Sequence, residues 1–420
     1  MKLYKLYIII FFVFCNLIYS QKILIPMDND QNDHLKAYGL VYYMLTKSNN
    51  VEWLLNYRGG SFLLNSEDII IKEAQLRGVT IYNVNSDQII NIYQDIDSNN
   101  MDIVLLEKSP EIAVYSPKDK QPWDDAVTMA LTYAEVKYIT IFDDEVLSGD
   151  LSKYDWLHLH HEDFTGQYGK FYKSFRNSSW YKKMETDFKR IAFNNGFDTV
   201  HKLKKTIASK IKNYINNGGF VFAMCSATDS FDIALASQNV DIAANVFDGT
   251  PVDRNYQNKL DFNNTLAFEN FTLYTDPLIY EYSNIDVPPS HKPNTRGAEA
   301  DYFTLFEFSA KWDPVPTMLT QNHVSIINGF MGQTTGYNKN LVKKHILIMG
   351  EDPTNNQAKY IHGNLGKGTF TFLGGHDPED YKHYVGDPPT DLSLHRNSPG
   401  YRLILNNILF PAAKKKKKKT

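Results

Sequence analysis

The chain has 420 residues, 43% of them hydrophobic and 14% aromatic, enough for more than one α/β core. It holds 44 basic and 48 acidic residues, and eight of the lysines (Lys2, Lys5 and Lys414 to Lys419) lie in the terminal segments. The body between them carries 36 basic against 48 acidic residues, which argues against a nucleic-acid partner.

Residues 1–20 combine Lys2 and Lys5, an apolar core over 7–14 too short to span a membrane, and the small Ser20. That is the pattern of a secretory signal peptide cut before Gln21, and it predicts an exported protein, periplasmic or extracellular. No later apolar run is long enough for a transmembrane helix. Cys15 falls inside the leader, so Cys225 is the lone cysteine of the mature chain and has no internal disulfide partner.

A smaller α/β domain is expected over 21–108, with strands at 22–26, 51–56 and 79–84 and helices at 34–45 and 87–96. The boundary falls at Lys108-Ser109-Pro110. From Glu111 strands and helices alternate more regularly. Strands are expected at 112–116, 138–142, 154–160 and 220–223, and helices at 123–136 and 202–215, the latter stopped by Asn217-Gly218-Gly219. A further helix over 229–235 has Thr228, Asp229 or Ser230 as N-cap. A long insertion occupies about 239–340. Strands at 345–349 and 368–373 and a helix over 399–409 close a domain of 109–413, ahead of a basic tail at 414–420. This order predicts an α/β fold with a doubly wound, mostly parallel sheet, whose ligands bind beyond the carboxyl ends of the strands.

Three strand ends carry candidate chemistry. Cys225 lies at a strand-to-helix turn between the small residues Ala223 and Ala227, where a strained corner exposes a nucleophile and the helix start lowers the thiol pKa. The alternative is a buried structural cysteine. His376 follows the glycines 374 and 375, with Asp377 and Glu379 close behind. An imidazole can deprotonate a thiol, and a carboxylate can fix its tautomer. The run WLHLHHED ends with His160, His161, Glu162 and Asp163 on the ligand edge, as substrate-binding candidates together with Asp377. Imidazole and carboxylate are also zinc and iron ligands. However, alternation along a strand puts His158 and His160 on one face and His161 on the other, and no HExxH spacing occurs. The sequence therefore assigns no metal and no cofactor.

With its cysteine elbow and late histidine-bearing strand end, the stretch from Glu111 to Pro411 resembles the class I glutamine amidotransferase-like superfamily, a flavodoxin-like fold. That family carries a G-x-C-x-G elbow and a later H-x-E. The resemblance implies Cys225 as nucleophile, His376 as base and Glu379 as orienter. Here Ala223 and Ala227 stand for the glycines, and Glu379 comes three residues after His376. Stretches such as ILIPMDNDQNDHLKAYG, KQPWDDAVT, LHLHHEDFTGQYGKF and GGHDPEDY also resemble exported Bacteroidota proteins commonly labelled asparagine synthetase B. The chain has no SGGxDS-like pyrophosphate loop, since Arg58-Gly59-Gly60-Ser61 lacks the aspartate, so ATP-dependent synthesis is not expected. The resemblance implies a cysteine-dependent amide hydrolase acting on a small molecule, peptide or glycan. The alternative is a non-catalytic binder of glycan or peptidoglycan fragments on the same fold. Lys414 to Lys419 form either a solvated end or a weak contact with an anionic surface.

Overall fold

The computed structural model describes residues 22–117, 125–286, 302–313, 324–330, 332–379 and 388–413. The expected signal peptide and the lysine tail lie outside these residues. Among the described residues no helix is long and apolar enough to cross a membrane.

The first sheet holds β1 (Lys22–Ile25), β2 (Val51–Leu55), β3 (Ser61–Asn65), β4 (Tyr82–Val84) and β5 (Asp102–Leu106) in the order β4-β1-β3-β2-β5. All its pairings are antiparallel. Its helices are α1 (His34–Thr46), α2 (Asp68–Arg77) and α3 (Ser86–Ser98). Asp33 caps α1 by accepting from Lys36 N at 2.9 Å, and a reciprocal Asn85–Gln88 capping box opens α3. Strands β3 and β5 and helix α2 were not expected. Five-residue apolar runs such as SFLLN are too short for periodicity to separate strand from helix.

The chain enters a second, ten-stranded sheet at β6 (Ile112–Tyr115), followed by β7 (Ile139–Ile141), β8 (Trp156–Leu159) and β9 (Phe220–Met224). The insertion supplies β10 (Tyr302–Leu305), β11 (Ile326–Asn328) and β12 (Tyr337–Asn338). The sheet is completed by β13 (Leu347–Asp352), β14 (Gln357–Leu365) and β15 (Gly368–Leu373). Strands β7-β6-β8-β9-β15 run parallel. Numbered along the chain they stand in the order 2-1-3-4-5, which reverses between β6 and β8. The other half is antiparallel, because a two-residue turn joins β14 directly to β15, and a connection that short reverses the chain. The α/β class therefore holds, with parallel pairing confined to one side of the sheet.

Alternation along β9 buries both faces. Phe220, Phe222 and Met224 join a core with residues of α1, α4 (Ala126–Tyr133) and α9 (Pro399–Leu409), and that core continues to Trp53 and Phe62 of the first sheet. Val221 and Ala223 join a second core with α6 (Ser179–Asn194), α7 (Val200–Asn216) and α8 (Ser226–Ala236), next to the short α5 (Asp143–Ser148). The layer of α1, α4 and α9 thus lies between the two sheets. Arg402 of α9 anchors it, donating to Met27 O at 3.1 Å, to Tyr38 Oη at 3.2 Å and to Gly59 O.

Candidate functional site

The carboxyl ends of β6, β8, β9 and β15 bring their following residues to one edge, as expected for such a sheet. Strand β8 stops at Leu159, one residue before His160. The alternation expected for His158, His160 and His161 therefore does not extend to the last two, and the bending chain turns both rings inward. The His160 ring centroid lies 4.3 Å from that of His161 and 4.2 Å from that of His376, both edge-on, and the His161 and His376 rings are 5.8 Å apart. One ring nitrogen from each of these three residues lies within 4.8 Å of the other two. His160 and His376 are buried and His161 is half-buried.

A second triad shares His160. The Asp125 carboxylate is 3.4 Å from His158 Nε2 and 3.6 Å from His160 Nδ1. Asp125 is the N-cap of α4, accepting from Val127 N at 2.7 Å and Thr128 N at 3.2 Å, which fixes where its oxygens point. Burial alone would push its carboxyl up, but the neighbouring imidazoles, His160 foremost, hold it well below the usual carboxylate range. His158 Nδ1 lies 3.0 Å from Phe222 O, which sets that ring's orientation. Asp125 was missed in the sequence. Its signal was an aspartate directly before an apolar helix that follows the first parallel strand.

Cys225 occupies the expected corner in an unexpected way. It is itself the N-cap of α8, with φ 51° and ψ −138°, strained for a residue with a side chain. Thr228, Asp229 and Ser230, the expected caps, lie inside the helix and are used elsewhere. Thr228 Oγ1 donates to Cys225 O at 2.7 Å, Ser230 Oγ donates to Glu162 O at 3.1 Å, and Asp229 Oδ1 accepts from Thr334 Oγ1 at 3.0 Å. Burial pushes the thiol pKa up, although the backbone N–H groups of Thr334, Gln333 and Ser226 are directed at the sulfur and favour thiolate. This reverses the lowered pKa expected from the helix start, because desolvation outweighs the three amides.

Gly332 connects the two strand ends. A Cβ there would lie 3.2 Å from Cys225 Sγ and 3.2 Å from Gly375 Cα, so a side chain at this position would crowd both strand ends. Gly375, at φ 95°, would drive a Cβ to within 1.6 Å of Phe330 O, and so only a glycine makes the turn into His376. The neighbouring strands pair Met224 with Leu373, and Cys225 N donates to Leu373 O at 3.2 Å.

The acidic candidates divide by role. Glu379, expected to orient His376, instead lies 3.2 Å from His395 Nδ1, at a surface cleft of about 420 Å³. Asp377 accepts from Tyr401 Oη at 2.8 Å, Thr390 Oγ1 at 3.0 Å and Glu379 N at 2.8 Å, bonds that brace the loop after β15. Asp163 accepts from Thr165 N and Gln167 N, both at 2.7 Å, and from Gly169 N at 3.1 Å, and so organises its own loop. Glu162 is buried, and burial pushes its carboxyl up to about 8; Lys204 opposes this, while Asp143, Asp163 and Asp125 add to it.

No family model and no curated protein matches the sequence. Among solved structures, the cytoplasmic protein STM3548 of Salmonella typhimurium aligns with 73% of this chain and all of its own, at 9% identity and a TM-score of 0.35. The cytoplasmic protein STM1381 of Salmonella typhimurium LT2 gives 72% and 100% coverage, 10% identity and a TM-score of 0.34. A β-galactosidase from Bacillus circulans sp. alkalophilus gives 64% of this chain, 29% of its own, 10% identity and a TM-score of 0.26. Likenesses of this size identify neither an activity nor a ligand.

Proposed function

We propose that this protein is an exported hydrolase of class I glutamine amidotransferase-like fold, acting on an amide or related bond, with its reacting centre at the imidazole cluster of His160, His161 and His376. One observation carries this reading. Histidines from two strand ends converge with Asp125, the N-cap of α4, at the carboxyl edge of the parallel strands. Imidazoles so placed can move protons to and from a substrate held in that crevice. The strand order and the helices on both faces of the sheet support the fold assignment. Glu379, paired with His395, has no part in this centre.

A second reading, hydrolysis through the Cys225 thiolate, is favoured by the strained corner and the three amides directed at the sulfur. Alkylation separates the two. With burial raising the thiol pKa, iodoacetamide should label native Cys225 more slowly than a free thiol at pH 7, with the rate rising at higher pH than that of the free thiol. A rate already at its plateau at pH 7 would restore the cysteine as nucleophile.

Turnover decides between them directly. Purified protein is screened against peptide, glutaminyl and N-acyl amino-sugar amides, with glycosides as the comparison class. On the substrate found, His160→Ala and His376→Ala are expected to lower kcat/KM at least about 100-fold, the usual range for loss of an acid–base group, and Cys225→Ala less than about tenfold. The reverse ranking would transfer the chemistry to Cys225. Stoichiometric binding of a glycan without turnover would make the protein a binder.

A further inference from the structure

We propose that His160, His161 and His376 bind one first-row divalent metal ion, with zinc the best match, and that Asp125 is the outer carboxylate that positions His160. This rests on the reading of the cluster as the reacting centre and names the group that the cluster would hold.

Three observations support it. First, a ring nitrogen from each histidine lies within 4.8 Å of the other two. Neighbouring nitrogens around tetrahedral zinc, with bonds of about 2.0–2.1 Å, are about 3.3 Å apart, so the rings need close by only an ångström or so. Second, the donors come from a bend after β8 and a glycine turn after β15, two segments held by the parallel strands that flank β9 on either side. A metal would bridge them without moving the sheet. Third, Asp125 lies 3.6 Å from His160 Nδ1, so a small closure would seat its carboxylate behind that ring with Nε2 as the ligand atom. A carboxylate behind a ligating imidazole fixes its tautomer and raises its basicity, and the Asp125 oxygens are already held by the amides of α4.

Three neutral imidazoles suit zinc, copper, iron or nickel rather than calcium or magnesium, which take oxygen ligands. Three protein ligands also leave a fourth position open, as in catalytic rather than structural zinc sites. The expectation of no metal assumed that His160 and His161 point apart. That assumption fails because β8 ends before either of them.

The test uses the full chain as secreted, stripped with a chelator, dialysed, and titrated with Zn²⁺ and separately with Co²⁺. One equivalent of zinc should bind with a Kd of about 1 µM or tighter, and Co²⁺ should give visible d–d absorption typical of a four-coordinate nitrogen site. His160→Ala and His376→Ala should abolish both signals. Asp125→Asn keeps every ligand and should weaken zinc binding about 10- to 100-fold, a readout independent of whether the alanine variants fold well. No stoichiometric uptake by the native protein at about 100 µM zinc, or uptake unaffected by both histidine variants, would overturn the metal site. The two readings fail separately. Loss of turnover in the histidine variants without metal binding leaves the reacting centre and removes the metal. Metal binding without turnover on any substrate leaves the metal and removes the hydrolase.

Discussion

Arg402→Ala is expected to lower the unfolding free energy by about 3–5 kcal/mol, because it removes charge-assisted hydrogen bonds to three acceptors and empties the volume of a buried side chain. Those acceptors are Met27 O and Gly59 O of the first sheet's segment and Tyr38 Oη of α1, and the Arg402 side chain is fully buried. The arginine thus ties the last helix of the chain to its first strands. In urea the midpoint should fall with little change in slope. Arg402→Met, which keeps most of the volume but none of the donors, should recover only a small part of the loss. An alanine variant that unfolds at the native midpoint would show that apolar packing alone holds the two sheets together.

The second large effect is on pH dependence. Burial pushes His362 down to about 3 and, with Arg402 adding to it, His34 down to about 4, from an ordinary 6.5. The folded pKa lies below the unfolded one, so the unfolded chain binds more protons between these values. The stability from a neutral buried ring is therefore complete above about pH 6.5 and is lost as pH falls toward the folded pKa. By pH 5 the loss is on the order of 2 kcal/mol per histidine. Glu162, raised to about 8, and Asp232, raised to about 6 by burial against the amides of Leu266, Ala267 and Phe268, run the opposite way and gain stability on acidification. The effect must therefore be read as a difference between proteins. His362→Gln costs stability at pH 7 through its lost contact with Thr371 Oγ1, 2.9 Å from the ring. Its deficit against the native protein should shrink by about 2 kcal/mol between pH 7 and pH 5. A deficit that stays constant with pH would mean the ring is not held neutral. Removing the guanidinium in Arg402→Ala should also raise the His34 pKa, which links the two experiments.

Local patterns sufficed where one element's own residues decide its state. The helix at 399–409 and the strand at 368–373 fall where the sequence placed them, because Pro399 at the helix start and the glycines around the strand are local stop and start signals. The strand before Cys225 was legible for the same reason, as a short apolar run bounded by Gly219. Strand β14 was not: its nine residues QAKYIHGNL include a lysine and a histidine at positions that only pairing with β13 and β15 buries.

The candidate site divides in the same way. That His160, His376 and Cys225 would lie at the carboxyl edge followed from sequence, since each ends a strand in a βα alternation. Three things did not follow, and each is a long-range contact. The rings of His160 and His161 share one volume because β8 stops at Leu159, a point set by its parallel pairing with β6 and β9. The Cys225 thiol is pushed up rather than down because burial outweighs the amides directed at the sulfur, two of them from Gln333 and Thr334, about a hundred residues later in the chain. Glu379 turns to His395 and Asp125 joins the histidines, exchanges that spacing along the chain could not reveal. Residue types and periodicities determined which candidate groups this chain carries and at which edge of the sheet they stand. Only the tertiary structure decided which groups meet there, because burial and distance between remote segments set both the pKa values and the partners.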